Sequence, residues 1–216
     1  MQSPHRDFSM CLYGLPGTGK SEYGMFLAQE LGLTPWRIKY SDLADKYVGD
    51  TEKKISLAFE QAKDEHKFMI IDEADSLISN RADANASWER TQVNEMLVQI
   101  EHHPYPIVCS TNLKDTIDRA ALRRFTFKVE FKPFTQEHAQ KAFKVIFGYD
   151  LPQGIVLPQD LTLGEYAAVK KQARFLGIEK DPQALWAAIL SEAASKQVGR
   201  PMGFTAEVSK KQFSPR

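Results

Sequence analysis

Apolar residues fall first in short unbroken runs and later, past residue 134, only at helical spacing. Phe8 to Tyr13 (FSMCLY), Phe68 to Ile71 (FMII) and Pro106 to Thr111 (PIVCST) are apolar runs of strand length, and Trp36 to Tyr40 (WRIKY) reads as a further strand. Leu122 to Phe131 places Phe125, Phe127, Val129 and Phe131 on a period of two, which predicts a fifth strand closed by Pro133. Between the runs, apolar residues recur at helical spacing: Gly24, Leu27, Ala28 and Leu31, then Ile55, Ala58, Phe59 and Ala62, then Val93, Met96, Leu97 and Ile100. The second of these helices starts near Asp50 or Thr51. A run such as FMII, without polar alternation, suits a strand covered on both faces. Strands and helices in this order predict an α/β domain.

From Thr135 the strands stop. Helices are predicted at about 135–147, 162–176 and 181–198, separated by the Pro- and Gly-containing stretch LPQGIVLPQDL. The third should bury Leu185, Ala188, Ile189 and Ala193. The expected organisation is an α/β domain over 1–133, a helical unit over 134–204 and a loose tail over 205–216, in a polar, poorly periodic stretch that begins at Gly199. No internal repeat or low-complexity segment interrupts this order.

Composition narrows the setting. With 216 residues, 43% hydrophobic and 26% charged, the chain can bury one sizeable core and a smaller one. Basic and acidic residues cancel at 28 each, so no basic field advertises nucleic acid or an anionic membrane. No apolar run reaches the roughly 20 residues that cross a bilayer, and Met1 to Arg6 lacks the apolar core of a signal peptide, so a cytoplasmic protein is expected. The two cysteines, Cys11 and Cys109, sit inside strand-like runs and read as buried free thiols. The five histidines show no ligand spacing, and no zinc site is expected.

Candidate chemistry centres on Gly14 to Ser21, GLPGTGKS, which meets the phosphate-loop pattern G-x-x-x-x-G-K-[ST] at every fixed position. Gly17 and Gly19 let the backbone curl so that successive N–H groups face an anion, and Pro16 and Thr18 complete the loop. Lys20 is the cation for the β and γ phosphates, Ser21 offers a hydroxyl to Mg²⁺, and the following helix turns its positive end to the same anion. The apolar run before Gly14 and the helical pattern after Ser21 supply the strand-loop-helix context this motif requires. A nucleoside triphosphate with Mg²⁺ is the expected ligand.

Five further groups join it. Asp72 and Glu73 follow the run FMII, at the strand end where open parallel sheets place ligands; Asp72 suits Mg²⁺ and Glu73 suits polarising a water. Asn112 ends the run PIVCST and either positions a water near a γ-phosphate or simply starts a turn. Arg123 and Arg124 precede the fifth strand. Tyr47 and Val48 sit beside Gly49 in a loop, and Trp88 either packs on the helix that follows or faces a partner.

Taken in order, these motifs resemble the AAA ATPases, particularly the meiotic clade that includes spastin and katanin, and bacterial relatives, over about Phe8 to Phe204. GLPGTGKS resembles the Walker A loop and FMIIDEAD the Walker B strand, which implies Mg²⁺ coordination by Ser21 and Asp72 and water activation by Glu73. STN at 110–112 is similar to the sensor 1 strand end, with Asn112 the sensor. DRAALRRF is similar to the arginine-finger segment, so Arg123 and Arg124 would reach a neighbouring subunit's γ-phosphate. KYVG resembles the first pore loop, with Tyr47 gripping a threaded polypeptide.

The resemblance implies a P-loop parallel five-stranded sheet ordered 5-1-4-3-2, with the Cys11 and Cys109 strands adjacent. It also implies a C-terminal helical lid, a hexameric ring and ATP-driven remodelling of a polypeptide. Gly164 in TLGEY matches the glycine that opens the sensor 2 helix, but no arginine accompanies it, which argues against a lid contact to phosphate. Family members carry an upstream helix and linker near the adenine, so a chain that starts this close to its first strand reads as part of a longer protein. Two rivals are a small-molecule kinase and an ATP-gated assembly module or nucleic-acid loader. The arginine pair argues against the kinase.

Overall fold

The computed structural model describes residues 7–43, 50–75, 87–113, 117–152 and 154–197. Five strands, β1 (Ser9–Gly14), β2 (Thr34–Lys39), β3 (Lys67–Asp72), β4 (Ile107–Thr111) and β5 (Phe127–Phe131), form one sheet in the order β2-β3-β4-β1-β5. Every neighbouring pair is parallel, as expected from the resemblance, and Cys11 lies directly beside Cys109. Burial pushes the Cys11 thiol up to about 12 and raises that of Cys109 as well, so neither forms a thiolate at neutral pH.

The apolar runs are unbroken because both faces of the sheet are covered. Cys11, Met69, Ile71, Ile107 and Cys109 face one core, packed under α3 (Asp50–Asp64) and α4 (Ser87–His102). Leu12, Phe68, Ile70 and Val108 face the other, packed under α1 (Lys20–Glu30). Phe68 through Ile71 are all 0% exposed, and each such side chain contributes about 1.5–3 kcal/mol. Gly24 of α1 is buried over Ile70, where an added Cβ would already be in contact at 3.4 Å.

At the edges the sequence-based expectation needs correction. β2 runs over Thr34–Lys39 rather than 36–40: Pro35 is admitted because this strand is at the edge, and Tyr40 opens the short α2 (Tyr40–Leu43). The fifth strand is shorter than the alternation from Phe125 to Phe131 predicts. Asp118 caps α5 (Arg119–Leu122) by accepting from the Ala120 N–H at 2.8 Å, and Arg123 and Arg124 continue as turns, so β5 begins only at Phe127. Phe125, expected in the strand, instead plugs the α3–α4 side of the core at 1% exposure, while Phe127 is 49% exposed.

Three C-terminal helices, α6 (Gln136–Phe147), α7 (Leu163–Leu176) and α8 (Pro182–Gln197), enclose a core of their own around Phe143, Tyr166, Leu185 and Ile189. Thr135 and Thr162 are N-caps rather than helical residues, and Gly148 and Gly177 end α6 and α7 in the left-handed conformation. The Phe134 N–H donates to Leu161 O at 2.7 Å, holding the helices to the end of the sheet domain.

His103, just after α4, is buried edge-on against Phe59, and burial pushes its imidazole down to about 4. Between about pH 6.5 and 4 the unfolded chain therefore takes up a proton that the folded chain refuses. Stability from this group is full above pH 6.5 and is lost as pH falls through that window, by at most about 3 kcal/mol. His103→Phe should flatten the fall in urea midpoint between pH 7 and pH 4.5; an unchanged slope would locate the acid sensitivity elsewhere.

Candidate functional site

β1, β3 and β4 are parallel and adjacent, so their C-terminal ends deliver Gly14, Asp72 and Thr111 to one edge. There GLPGTGKS leaves β1 and enters α1. Gly14, Gly17 and Gly19 have φ of 131°, 78° and 93°, values that side chains disfavour. Space forbids them too: a Cβ on Gly14 would sit 2.2 Å from Phe131 O, and one on Gly17 would sit 2.8 Å from Thr162 Oγ1. Thr18 Oγ1 donates to Leu15 O at 2.8 Å, bracing the turn.

Lys20 is folded into this turn, 6% exposed, and donates at 2.9 Å to Gly14 O, Leu15 O and Asn112 Oδ1. Burial lowers its pKa, and Asp75 and Asp72 oppose that shift. Asp75 also holds the end of β4 in place, because its Oδ1 accepts from Thr111 Oγ1 at 2.6 Å and from the Asn112 N–H at 3.1 Å. Asn112 thereby meets the lysine through Oδ1.

Ser21 and Asp72 meet. Asp72 Oδ1 accepts from Ser21 Oγ and from Ser110 Oγ, both at 2.7 Å, and Arg37 Nε donates to Oδ2. Glu73 sits at φ 56°, in the left-handed region rarely used by non-glycine residues, and this turn carries its carboxylate to Lys39 Nζ at 2.9 Å. The Ala74 N–H, bonded to Ser110 O at 2.9 Å, fixes the turn from the β4 side.

A cleft of about 420 Å³ opens among these groups, bounded by Pro16, Lys20 and Glu73 on one side and by Leu163 and Gly164 of α7 on the other. The Gly164 N–H donates to Gly17 O at 2.8 Å, so the helical unit does touch the phosphate loop, through backbone. Sequence reasoning also overlooked a cation here. Glu165, fully buried, completes a capping box with Thr162 and pairs with Lys196 of α8, which also reaches Thr162 Oγ1 at 3.4 Å. Burial raises the Glu165 pKa, but Lys196 and Thr162 outweigh it and leave the carboxyl below its ordinary value.

Hydroxyl and carboxylate oxygens 2.7 Å apart are the hard donors Mg²⁺ prefers, and the glycine cradle next to them fits a phosphate chain. The residues present therefore suit a Mg²⁺-bound nucleotide. Arg123 and Arg124 line no part of this cleft; Arg124 pairs with Glu101 of α4 at 2.5 Å. Tyr47, Val48 and the side chain of Trp88 lie outside the described residues. Arg37, Lys39, Ser110 and Asp75 were missed. A signal existed for the first two, basic residues two apart at the end of a strand of the same sheet.

Residues 10–133, more than half of the chain, match the model of the ATPase family associated with various cellular activities. Protein SUPPRESSOR OF K(+) TRANSPORT GROWTH DEFECT 1 of Arabidopsis thaliana is 35% identical over 162 residues, covering 71% of this chain and 37% of that protein. Vacuolar protein sorting-associated protein 4 of Dictyostelium discoideum is 33% identical over 63% of this chain and 32% of its own length. Spastin of Drosophila erecta is 34% identical over 56% of this chain and 17% of its own length. The matched region thus spans well under half of each of these curated relatives.

Proposed function

Since the chain belongs to the AAA family of ATPases and carries its ATPase domain, we propose that it hydrolyses Mg·ATP to remodel a polypeptide threaded through an oligomeric ring. The observation that carries the ATPase reading is the junction of Ser21 with Asp72, 51 residues apart and 2.7 Å in contact, beside the Lys20–Asn112 bond. Ser21 and Asp72 would hold Mg²⁺, which when bound neutralises phosphate charge. Gly17 and Gly19 shape the phosphate cradle, Lys20 binds the β and γ phosphates, and Asn112 orients an attacking water or the terminal phosphate. Glu73 takes up that water's proton as it attacks.

The turn that follows α5 would present Arg123 and Arg124 to the next subunit of a hexamer, and Tyr47 and Val48 would grip the polypeptide. An unfolded polypeptide, rather than DNA or a phosphate acceptor, should stimulate ATP hydrolysis. Lys20→Ala should abolish both nucleotide binding and the stimulated rate, because the loop loses its long cation. Stimulation by DNA alone would point to a loader, and phosphate transfer to a small acceptor would point to a kinase. Calorimetric ATP affinity equal to wild type in Lys20→Ala would remove the site itself.

A further inference from the structure

Both carboxylate oxygens of Asp72 accept from protein groups. The residue is 4% exposed; Ser21 and Ser110 share Oδ1 and Arg37 takes Oδ2. The serines are neutral and suit a carboxylate with or without a metal beside it. Arg37 is different. Its guanidinium brings a full positive charge to the same carboxylate that a Mg²⁺ ion drawn to Ser21 and Asp72 would share, and like charges repel strongly in a partly buried cleft.

The strand geometry makes this contact a built one. β2 lies beside β3 with Arg37 opposite Ile70 and Lys39 opposite Asp72, so the two basic side chains, two residues apart, share one face of the strand. Arg37 binds the candidate metal carboxylate and Lys39 binds Glu73, the candidate water activator, at 2.9 Å. The exposures are unequal where it matters. The Arg37 side chain is 51% exposed and can swing into water, whereas that of Asp72 is 5% exposed and cannot. One partner is fixed and the other is detachable.

We propose that Arg37 is a counter-ion latch on Asp72, holding the carboxylate in its metal-binding pose and setting the Mg²⁺ concentration at which nucleotide is bound tightly. The latch rests on the ATPase reading above. Arg37 is a positioning residue: it preserves a buried carboxylate as a charged, oriented ligand and yields it when the divalent cation arrives. Its release opposes only the Mg²⁺-dependent part of binding.

ADP affinity of the full 216-residue chain, measured by calorimetry over a Mg²⁺ series that begins in EDTA, isolates that part without any turnover. Arg37→Met should lower the half-saturating Mg²⁺ concentration about three- to tenfold and leave ADP affinity in EDTA unchanged. Arg37→Lys, which keeps the charge, should stay near wild type. Arg37→Gln, which keeps a donor for Asp72 without the charge, should shift in the same direction as Arg37→Met and guards against a folding defect in that variant. An unmoved Mg²⁺ midpoint in both neutral variants overturns the latch. Equal weakening of ADP with and without Mg²⁺ also overturns it, because Arg37 would then be a phosphate ligand. No ADP binding by the wild-type chain at any Mg²⁺ concentration would instead remove the nucleotide reading on which the latch rests.

Discussion

Arg123→Ala or Arg124→Ala should cut ATP turnover by about 10³- to 10⁵-fold while ATP affinity falls far less. A guanidinium aimed at a γ-phosphate stabilises charge that develops in the transition state, and the ground-state complex needs it less. The structure motivates an action between subunits. Both arginines follow the α5 turn and neither lines its own cleft, and Arg124 is tethered to Glu101 at the end of α4. Action in trans has a signature that no local ligand imitates. An arginine variant mixed with Lys20→Ala should regain activity wherever an intact loop meets an intact arginine across the junction. Co-assembly must first be established by light scattering. A mixture that co-assembles and recovers nothing would return the arginines to their own subunit or to the fold.

Glu73→Gln should bind Mg·ATP normally and lose about 10²- to 10⁴-fold in single-turnover hydrolysis, because the amide keeps the shape of the side chain but cannot accept the water's proton. Its Lys39 partner is lost too, yet that pair is more than half exposed on both sides, so melting should barely move. The position is unusual in its backbone as well as its charge. A glutamate at φ 56° is held there by the β3 and β4 ends around it, and its carboxylate pairs with Lys39. Any assembly that forms with ATP should outlive that of the wild type under light scattering. Undiminished turnover would assign water activation to another group.

Local chemistry determined much of this protein without any knowledge of its fold. Strand and helix periods are properties of neighbouring residues, so FMII, PIVCST and the Ile55–Ala62 face were legible as they stand. The phosphate loop was legible for a similar reason: its glycines, lysine and serine act within eight consecutive residues, and their φ values follow from the absence of side chains. Alternation could also mislead, as at Phe125, where a buried loop plug has the same spacing as a strand residue and only the Asp118 cap and the core beneath it separate the two. What the tertiary structure alone decided were the contacts between distant segments. Arg37 on Asp72, Asp75 under Asn112, Glu101 on Arg124 and Gly164 on Gly17 join residues separated in sequence by whole elements. Each depends on which strands are neighbours and how the helical unit sits on the loop. Those relations are set by packing of the two sheet faces and the third core, and no local pattern of residues encodes them.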